Sequence, residues 1–312
     1  MNLQNKYRKH GFVRIVRLIL ITFSMVVLAS WMNKPFTLVV LGQLKNSGNE
    51  PSPVVQKQQS DSGRTFADWC REKADLSPEA KHTVEVLLQK AETTECDAAD
   101  RNLLSLTELS LADNQIRDIK PIASSLLNLM WLNLDNNKIS DIKPLASLNY
   151  LGSLSLRNNK ISDIKPLASL TDLRFLNLDN NTIGDIKPLA SLTLLRFLKL
   201  SNNTIGDIKP LASLNYLILL ELNNNTIGDI KPLASLTGLI RLELDNNTIE
   251  DIKPLASLIN LMWLYLRNNK ISDIKPLASL NYLKYLGLSG NPIAPKTCPL
   301  KPESICKWEP LN

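Results

Sequence analysis

From Leu106 to Asn291 the apolar positions return with one fixed step. Leu129, Leu132 and Leu134 lead to Asn137, and the same Leu-x-x-Leu-x-Leu-x-x-Asn frame ends at Asn159, Asn181, Asn203, Asn225, Asn247, Asn269 and Asn291, each 22 residues after the last; Asn114 precedes Asn137 by 23. Self-similarity at this period predicts a solenoid, in which no repeat buries its own leucines and stacked repeats share one core. Within a repeat, Leu132, Asn133 and Leu134 alternate, so a short strand places leucines inward and the residues between them outward. The asparagine side chain offers two donors and an acceptor, which suits it to pairing the backbone groups that the following turn leaves inside the coil. Pro144, Pro166, Pro188 and their counterparts fix one backbone angle and remove a donor, as the start of a tight turn or one-turn helix on the opposite side requires. Nine repeats at about 4.8 Å per parallel strand give a sheet roughly 40 Å long.

The flanks divide the chain further. Residues 1 to 45 form a basic leader, 46 to 65 a polar tether, 66 to 102 a helical cap, 103 to 291 the repeats, and 292 to 312 a C-terminal cap. In the cap, Ser77 and Pro78 read as N-cap and first helical residue, and Val84, Leu87, Leu88 and Ala91 fall on one face. That face predicts a lid on the open end of the array. In the leader, five Lys or Arg side chains precede the uncharged run from Leu18 to Met32. Positive charge there predicts a cytoplasmic N-terminus with the remainder on the other side of the membrane. Two readings stand: an uncleaved span over residues 12 to 32 with Arg14 and Arg17 snorkelling, or a signal peptide processed after Val27-Leu28-Ala29. Both place the repeats outside the cytoplasm, either anchored in the membrane or secreted.

Charge and cysteine content follow this division. The net charge is +6, yet residues 1 to 45 hold seven Lys or Arg and no acid, so the remainder is −1. The basic balance therefore belongs to the leader and gives no support to nucleic-acid binding. Cys70 and Cys96 precede the repeats and Cys298 and Cys306 follow them. In an oxidising compartment the economical pairing joins neighbours within each flank, although four cysteines allow three connectivities. No Cys-x-x-Cys occurs and the chain has two histidines, His10 and His82, so a zinc site is not expected.

No catalytic constellation emerges. The array contains no histidine, and nucleophile-and-base chemistry finds no alternative cluster. Asp118, Asp141, Asp163, Asp185, Asp207, Asp229, Asp251 and Asp273 recur as near copies, each two residues before a lysine. A catalytic carboxylate pair needs unlike environments; these predict turn acceptors, with the lysines keeping the outer face soluble. Asp135 to Asp141 has the look of a calcium loop but lacks the glycine and terminal glutamate of an EF-hand. No cofactor is expected.

The repeats differ from one another in one place. The Asp-Ile-Lys-Pro-Leu-Ala-Ser segment barely varies, whereas the middle outward strand position reads Ser110, Asn133, Ser155, Asn177, Lys199, Glu221, Glu243, Tyr265 and Gly287. One outward position earlier stand Glu108, Trp131, Ser153, Phe175, Phe197, Leu219, Arg241, Trp263 and Tyr285. Exposure alone does not account for the contrast, because both sets lie outside the leucine core. The aromatic side chains Trp131, Phe175, Phe197, Trp263, Tyr265 and Tyr285, with Arg241, Glu243 and Arg267, form the candidate partner site on the concave face. With half of each ring accessible, the six rings expose roughly 600 Å², close to one side of a standard protein interface. The competing explanation is block duplication, since Met130-Trp131 and Met262-Trp263 stand six repeats apart, with neighbouring rings covering one another. Tyr150, Tyr216 and Tyr282 lie outside these columns and are expected to pack at the approach to the strand.

The nine-residue frame is the leucine-rich repeat consensus at the short end of its length range. The run Asn-x-Ile-x-Asp-Ile-Lys-Pro-Leu-Ala-Ser-Leu-x-x-Leu over residues 106 to 291 resembles the repeats of bacterial internalin-type proteins. The resemblance implies an α/β solenoid: a horseshoe with a parallel concave sheet, short turns or 3-10 helices on the convex side, and a helical N-terminal cap. It also implies that concave aromatic side chains contact a protein partner. Internalins commonly continue into an immunoglobulin-like domain, whereas Gly290-Asn291-Pro292-Ile293 leads here into a short cysteine-bearing tail, so a host-invasion role does not carry over. The sequence thus points to a non-enzymatic, extracytoplasmic protein-binding module tethered to the membrane. The alternatives are an envelope or adhesion protein, with glycan as a ligand, and a regulatory scaffold of the phosphatase-binding kind.

Overall fold

The computed structural model describes residues 63 to 309 apart from Ser125, within one compact unit spanning Gln58–Asn312. The apolar segment at 12–32 and most of the tether lie outside the described residues. No described helix is long and apolar enough to cross a membrane.

Three helices build the cap: α1 (Phe66–Arg71), α2 (Pro78–Lys90) and α3 (Cys96–Leu104). Thr65 caps α1 through a reciprocal bond with Asp68, and the Ser77 side chain accepts from Ala80 N at the start of α2, followed by Pro78. Val84, Leu87, Leu88 and Ala91 are all buried. The Cys70–Cys96 disulfide ties α1 to α3. Docking on the array is polar as well as apolar: Thr83 Oγ1 donates to Asp118 O at 2.6 Å, and His82 Nε2 lies 2.6 Å from Asn114 O.

The array itself is a parallel sheet in strict sequence order, β1 (Glu108–Ser110), β2 (Trp131–Asn133), β3 (Ser153–Ser155), β4 (Phe175–Asn177), β5 (Phe197–Lys199), β6 (Leu219–Glu221), β7 (Arg241–Glu243), β8 (Trp263–Tyr265) and β9 (Tyr285–Gly287). A tenth strand, β10 (Cys306–Lys307), adds to β9 from the C-terminal cap, with Leu288 N donating to Lys307 O at 2.9 Å. The repeat frame does not reach this strand, which has no leucine pattern of its own. The Cys298–Cys306 disulfide closes the loop that delivers it.

Opposite the sheet, seven turns of 3-10 helix run from Lys143–Ser147 to Lys275–Ser279, each with proline in its first turn; the first repeat has instead the short helix α4 (Lys120–Ala123). Each is preceded by an aspartate whose Oδ1 accepts from the lysine amide two residues on, as Asp141 does from Lys143 N at 2.9 Å. The core between sheet and turns is a stack of near-identical layers. In one layer Leu173, Leu176, Leu178, Ile183, Ile186, Leu189 and Leu192 are all essentially inaccessible to solvent.

The Asn-Asn doublet explains how the chain leaves each strand. The second asparagine is the rung. Asn181 Nδ2 donates to Leu178 O at 3.1 Å and to Leu156 O of the preceding repeat at 3.0 Å, while its Oδ1 accepts from Ile161 N at 3.0 Å. The first asparagine takes the left-handed backbone conformation: φ is +56° at Asn136 and +58° at Asn202. Asparagine tolerates that region better than most L-residues. In the last repeat Gly290 takes over at φ +74°, where an added Cβ would lie 2.0 Å from Asn268 Oδ1.

Candidate functional site

The outward strand positions form a grid. In its first column the register sets Trp131 beside Ser153, Ser153 beside Phe175, Phe175 beside Phe197, and Arg241 beside Trp263 beside Tyr285. All six candidate aromatic side chains lie on this face, and all are partly buried rather than half exposed. Neighbours about 4.8 Å apart cover one another's flanks, so their accessible area is smaller than an isolated-ring count gives.

The C-terminal end of the grid is organised around Tyr265. Its ring centroid lies 4.8 Å from that of Tyr285, with a tilt of 32°. The Arg241 Cζ sits 5.0 Å from the Tyr265 centroid, and the Arg267 Cζ lies 5.7 and 5.6 Å from those of Tyr265 and Tyr285. Each guanidinium has its own carboxylate: Arg241 Nε donates to Glu243 Oε1 at 2.6 Å, and Arg267 pairs with Asp245 Oδ2 at 3.4 Å. Asn223 Nδ2 holds the other Glu243 oxygen at 2.6 Å, and Arg267 also donates to the Tyr285 hydroxyl. Gly287 makes room for this arrangement, since a Cβ there would meet Arg267 Nε at 3.1 Å. Arg267 Nε is buried without a hydrogen-bond partner among the described residues.

Burial shifts the ionisable groups. It raises the Tyr265 and Asp245 pKa values, the latter against the opposing bond from Arg267 N and the Arg267 charge. Burial pulls Arg241 down, but the charge and hydrogen bond of Glu243 outweigh it and leave the pKa raised. Asp179 is pushed up to about 6, chiefly by burial, with the Ser201 N bond pulling the other way and the Glu221 charge adding to the rise.

A third outward column, which the sequence did not single out, is a second ladder. Asp135 Oδ1 accepts from Arg157 N at 2.8 Å, Asp179 Oδ1 from Ser201 N at 2.7 Å, Asn223 Oδ1 from Asp245 N at 2.8 Å, and Asp245 Oδ1 from Arg267 N at 2.7 Å. The signal available in the sequence was the recurrence of Asp or Asn two residues before a rung asparagine, at Asp135, Asp179, Asn223 and Asp245. Tyr150, Tyr216 and Tyr282 also depart from expectation: they are exposed at 59, 62 and 62 per cent. A tyrosine can stand in solvent there because its hydroxyl remains hydrated.

Chemically, the face presents aromatic rings and guanidiniums held by carboxylates, a set suited to contact with another surface. Among the described residues no group of His, Cys, Asp and Glu is placed to hold a metal ion. Two open depressions, of about 380 and 470 Å³, lie in the cap around Glu92, lined by such residues as Asn102 and Gln89, away from the aromatic columns. Neither shares a residue with the aromatic sheet face, which is the candidate site.

This geometry is that of a repeat module presenting a varied sheet on an unvarying frame. The chain belongs to the leucine-rich repeat family: residues 104–161 and 237–293 match the family described as leucine rich repeat, and 151–191 that described as leucine rich repeats in two copies. These are repeat families, not catalytic ones, and the class generally serves protein–protein interaction. The chain is similar to internalin C2 of Listeria monocytogenes, with 35% identity and a TM-score of 0.63 over 66% of this chain and 91% of that one. Another internalin of the same organism, inlF, gives 32% identity and a TM-score of 0.52 over 71% of this chain and 78% of that one. A leucine-rich repeat protein of Leptospira interrogans gives 27% and 0.58 over 68% and 62%. No curated protein matches the chain.

Proposed function

We propose that this protein is an extracytoplasmic recognition module, held at the membrane by its N-terminal segment, that binds a protein partner on the concave sheet face. The observation carrying this reading is the contrast between columns: the Asp-Ile-Lys-Pro-Leu-Ala-Ser turns repeat almost unchanged, while the adjoining strand face varies and collects Trp131, Phe175, Phe197, Trp263, Tyr265 and Tyr285. Aromatic and arginine side chains supply most of the energy of protein interfaces. In the Arg241–Tyr265–Arg267–Tyr285 cluster they are already held in place by one another and by Glu243 and Asp245, which lowers the ordering cost on binding. Cys70–Cys96 and Cys298–Cys306 support an oxidising location.

Crosslinking proteomics on cells carrying the full chain tests the site. Trp263→Ala with Tyr265→Ala is expected to remove the principal partner, and an unchanged partner set with an intact fold would defeat the reading. Location is tested separately: the four cysteines should resist alkylation in cells until a reductant is added.

A further inference from the structure

Every large hydrophobic side chain that stands exposed among the described residues lies along one edge of the array. Six of them, Leu104, Leu127, Tyr150, Tyr216, Ile259 and Tyr282, occupy one equivalent place: the pair of residues between the leucine that closes each outer turn and the leucine that leads into the strand, as Tyr150 lies between Leu148 and Leu151. The seventh, Met130, follows Leu129 in the same approach. Equivalent positions of stacked repeats form a row. From Leu104 to Tyr282 the row runs about 40 Å, with the tyrosines three repeats apart. The core closes beneath it over Leu148, Leu151, Leu214 and Leu217, so folding does not require these side chains.

The two edges differ in polarity as well. Of the eighteen residues in these nine pairs, Asp172 alone is charged; those that are not apolar are otherwise Asn, Thr, Ser or Gly. The opposite edge, just after the asparagine rungs, carries Lys138, Lys160, Glu250 and Lys270, all exposed, and no exposed large hydrophobic side chain. Single exposed leucines need no explanation, whereas seven large side chains confined to one edge do. The chain that follows the apolar segment at 12–32 arrives at this same edge. Phe66 N, at the first residue of α1, donates to Asp100 Oδ1 at 3.0 Å. Asp100 and Leu104 stand four apart in α3, on one face of that helix. The tether therefore enters the cap one helical turn from the first member of the row. Residues 33 to 62 hold it within about 100 Å of that apolar segment even when fully extended.

We infer that this edge rests on the lipid bilayer, with its aliphatic side chains and tyrosine rings at the headgroup boundary. The inference rests on the membrane-held reading above and adds an orientation to it. Tyrosine suits that boundary, with its ring toward the acyl chains and its hydroxyl among the headgroups. An edge almost free of charge gives up little hydration on contact. A row of equivalent positions meets a flat surface along its whole length, which one hydrophobic loop cannot do. The sheet face, turned away from the edge, stays open to a protein partner.

The test reconstitutes the full chain in phosphatidylcholine vesicles doped with phosphatidylcholine analogues photoreactive in the headgroup or the acyl chain, and maps the labelled residues by mass spectrometry. The expected result is headgroup labelling around Leu127, Tyr150, Tyr216, Ile259 and Tyr282 at least tenfold above that around Lys138, Lys160 and Lys270. Tyr150→Ser with Tyr216→Ser and Tyr282→Ser should lower it at least fivefold and leave acyl-chain labelling of residues 12–32 unchanged. Tyr150→Trp with Tyr216→Trp and Tyr282→Trp should retain it. Equal labelling of the two edges overturns the inference, as does edge labelling that ignores the serine changes. So does a dimer in detergent that the serine changes convert to monomer, which would assign the row to a second copy of the chain. If residues 12–32 are labelled and the edge is not, this inference alone fails; if the chain washes from the vesicles with those residues unlabelled, the membrane-held reading fails with it.

Discussion

At Asn203 one side chain serves two repeats: its Nδ2 donates to Leu200 O and Leu178 O at 3.1 and 3.0 Å, and its Oδ1 accepts from Ile183 N at 3.0 Å. Asn203→Ala leaves these buried groups unpaired, and the expected loss is about 2–4 kcal/mol in urea unfolding. Its neighbour Asn202 is required for its backbone angle alone. Asn202→Gly is expected to change stability by less than about 1 kcal/mol, whereas Asn202→Val, with a branched side chain at positive φ, costs about 1–2 kcal/mol. Asp179 has a pH-dependent effect. Its folded pKa of about 6 lies above the ordinary 3.8, so the native state binds a proton that the unfolded chain has released. Its contribution to stability is therefore greatest in acid and is lost as pH rises through about 6. Asp179→Asn keeps the acceptor for Ser201 N, as Asn223 does naturally for Asp245 N. The variant should gain about 1–2 kcal/mol at pH 8 after allowance for screening, with the gain vanishing near pH 4. Parallel unfolding curves at the two pH values would contradict it.

Among the elements, those that repeat were legible in the sequence and those that do not were harder to read. The leucines at 129, 132 and 134 set strand, inward face and stacking at once, and Ser77-Pro78 marked the start of α2, because each signal is local in sequence. β10 escaped because its strand character comes from pairing with Leu286 and Gly287, not from its own residues. The same limit applies to the candidate site. Periodicity identified which side chains share a face, but the match of Arg241 to Glu243 and of Arg267 to Asp245 depends on rotamers that no spacing encodes. The exposure of Tyr150, Tyr216 and Tyr282 was missed for a related reason: the core already closes over Leu148 and Leu151, leaving the tyrosines no apolar surface to cover. Ser77→Ala tests an element boundary directly. It removes the acceptor for Ala80 N, and about 1 kcal/mol of cap stability should be lost, read as faster amide exchange in α2 with the strands unaffected.

For the whole molecule, the two ends of the stack are closed differently. Helices cover the first repeat, while β10 covers the last through a short loop bridged by Cys298 and Cys306, eight residues apart. Cys298→Ser with Cys306→Ser is expected to release β10 and leave β9 with unpaired N–H and C=O groups above buried leucines. Analytical ultracentrifugation should then show concentration-dependent association that the parent chain lacks. A monomer at all concentrations would show that the remaining cap suffices. The asparagine rungs make the interior a one-dimensional crystal: each layer bonds to its neighbours by the same rule and supplies no instruction to stop. Length in such a lattice is a discrete quantity, so excising residues 182 to 203 would join Asn181 to Thr204 across an equivalent lattice point and shorten the sheet by one step. The caps are its terminating facets, and the varied strand positions are the impurities that let a periodic solid carry information.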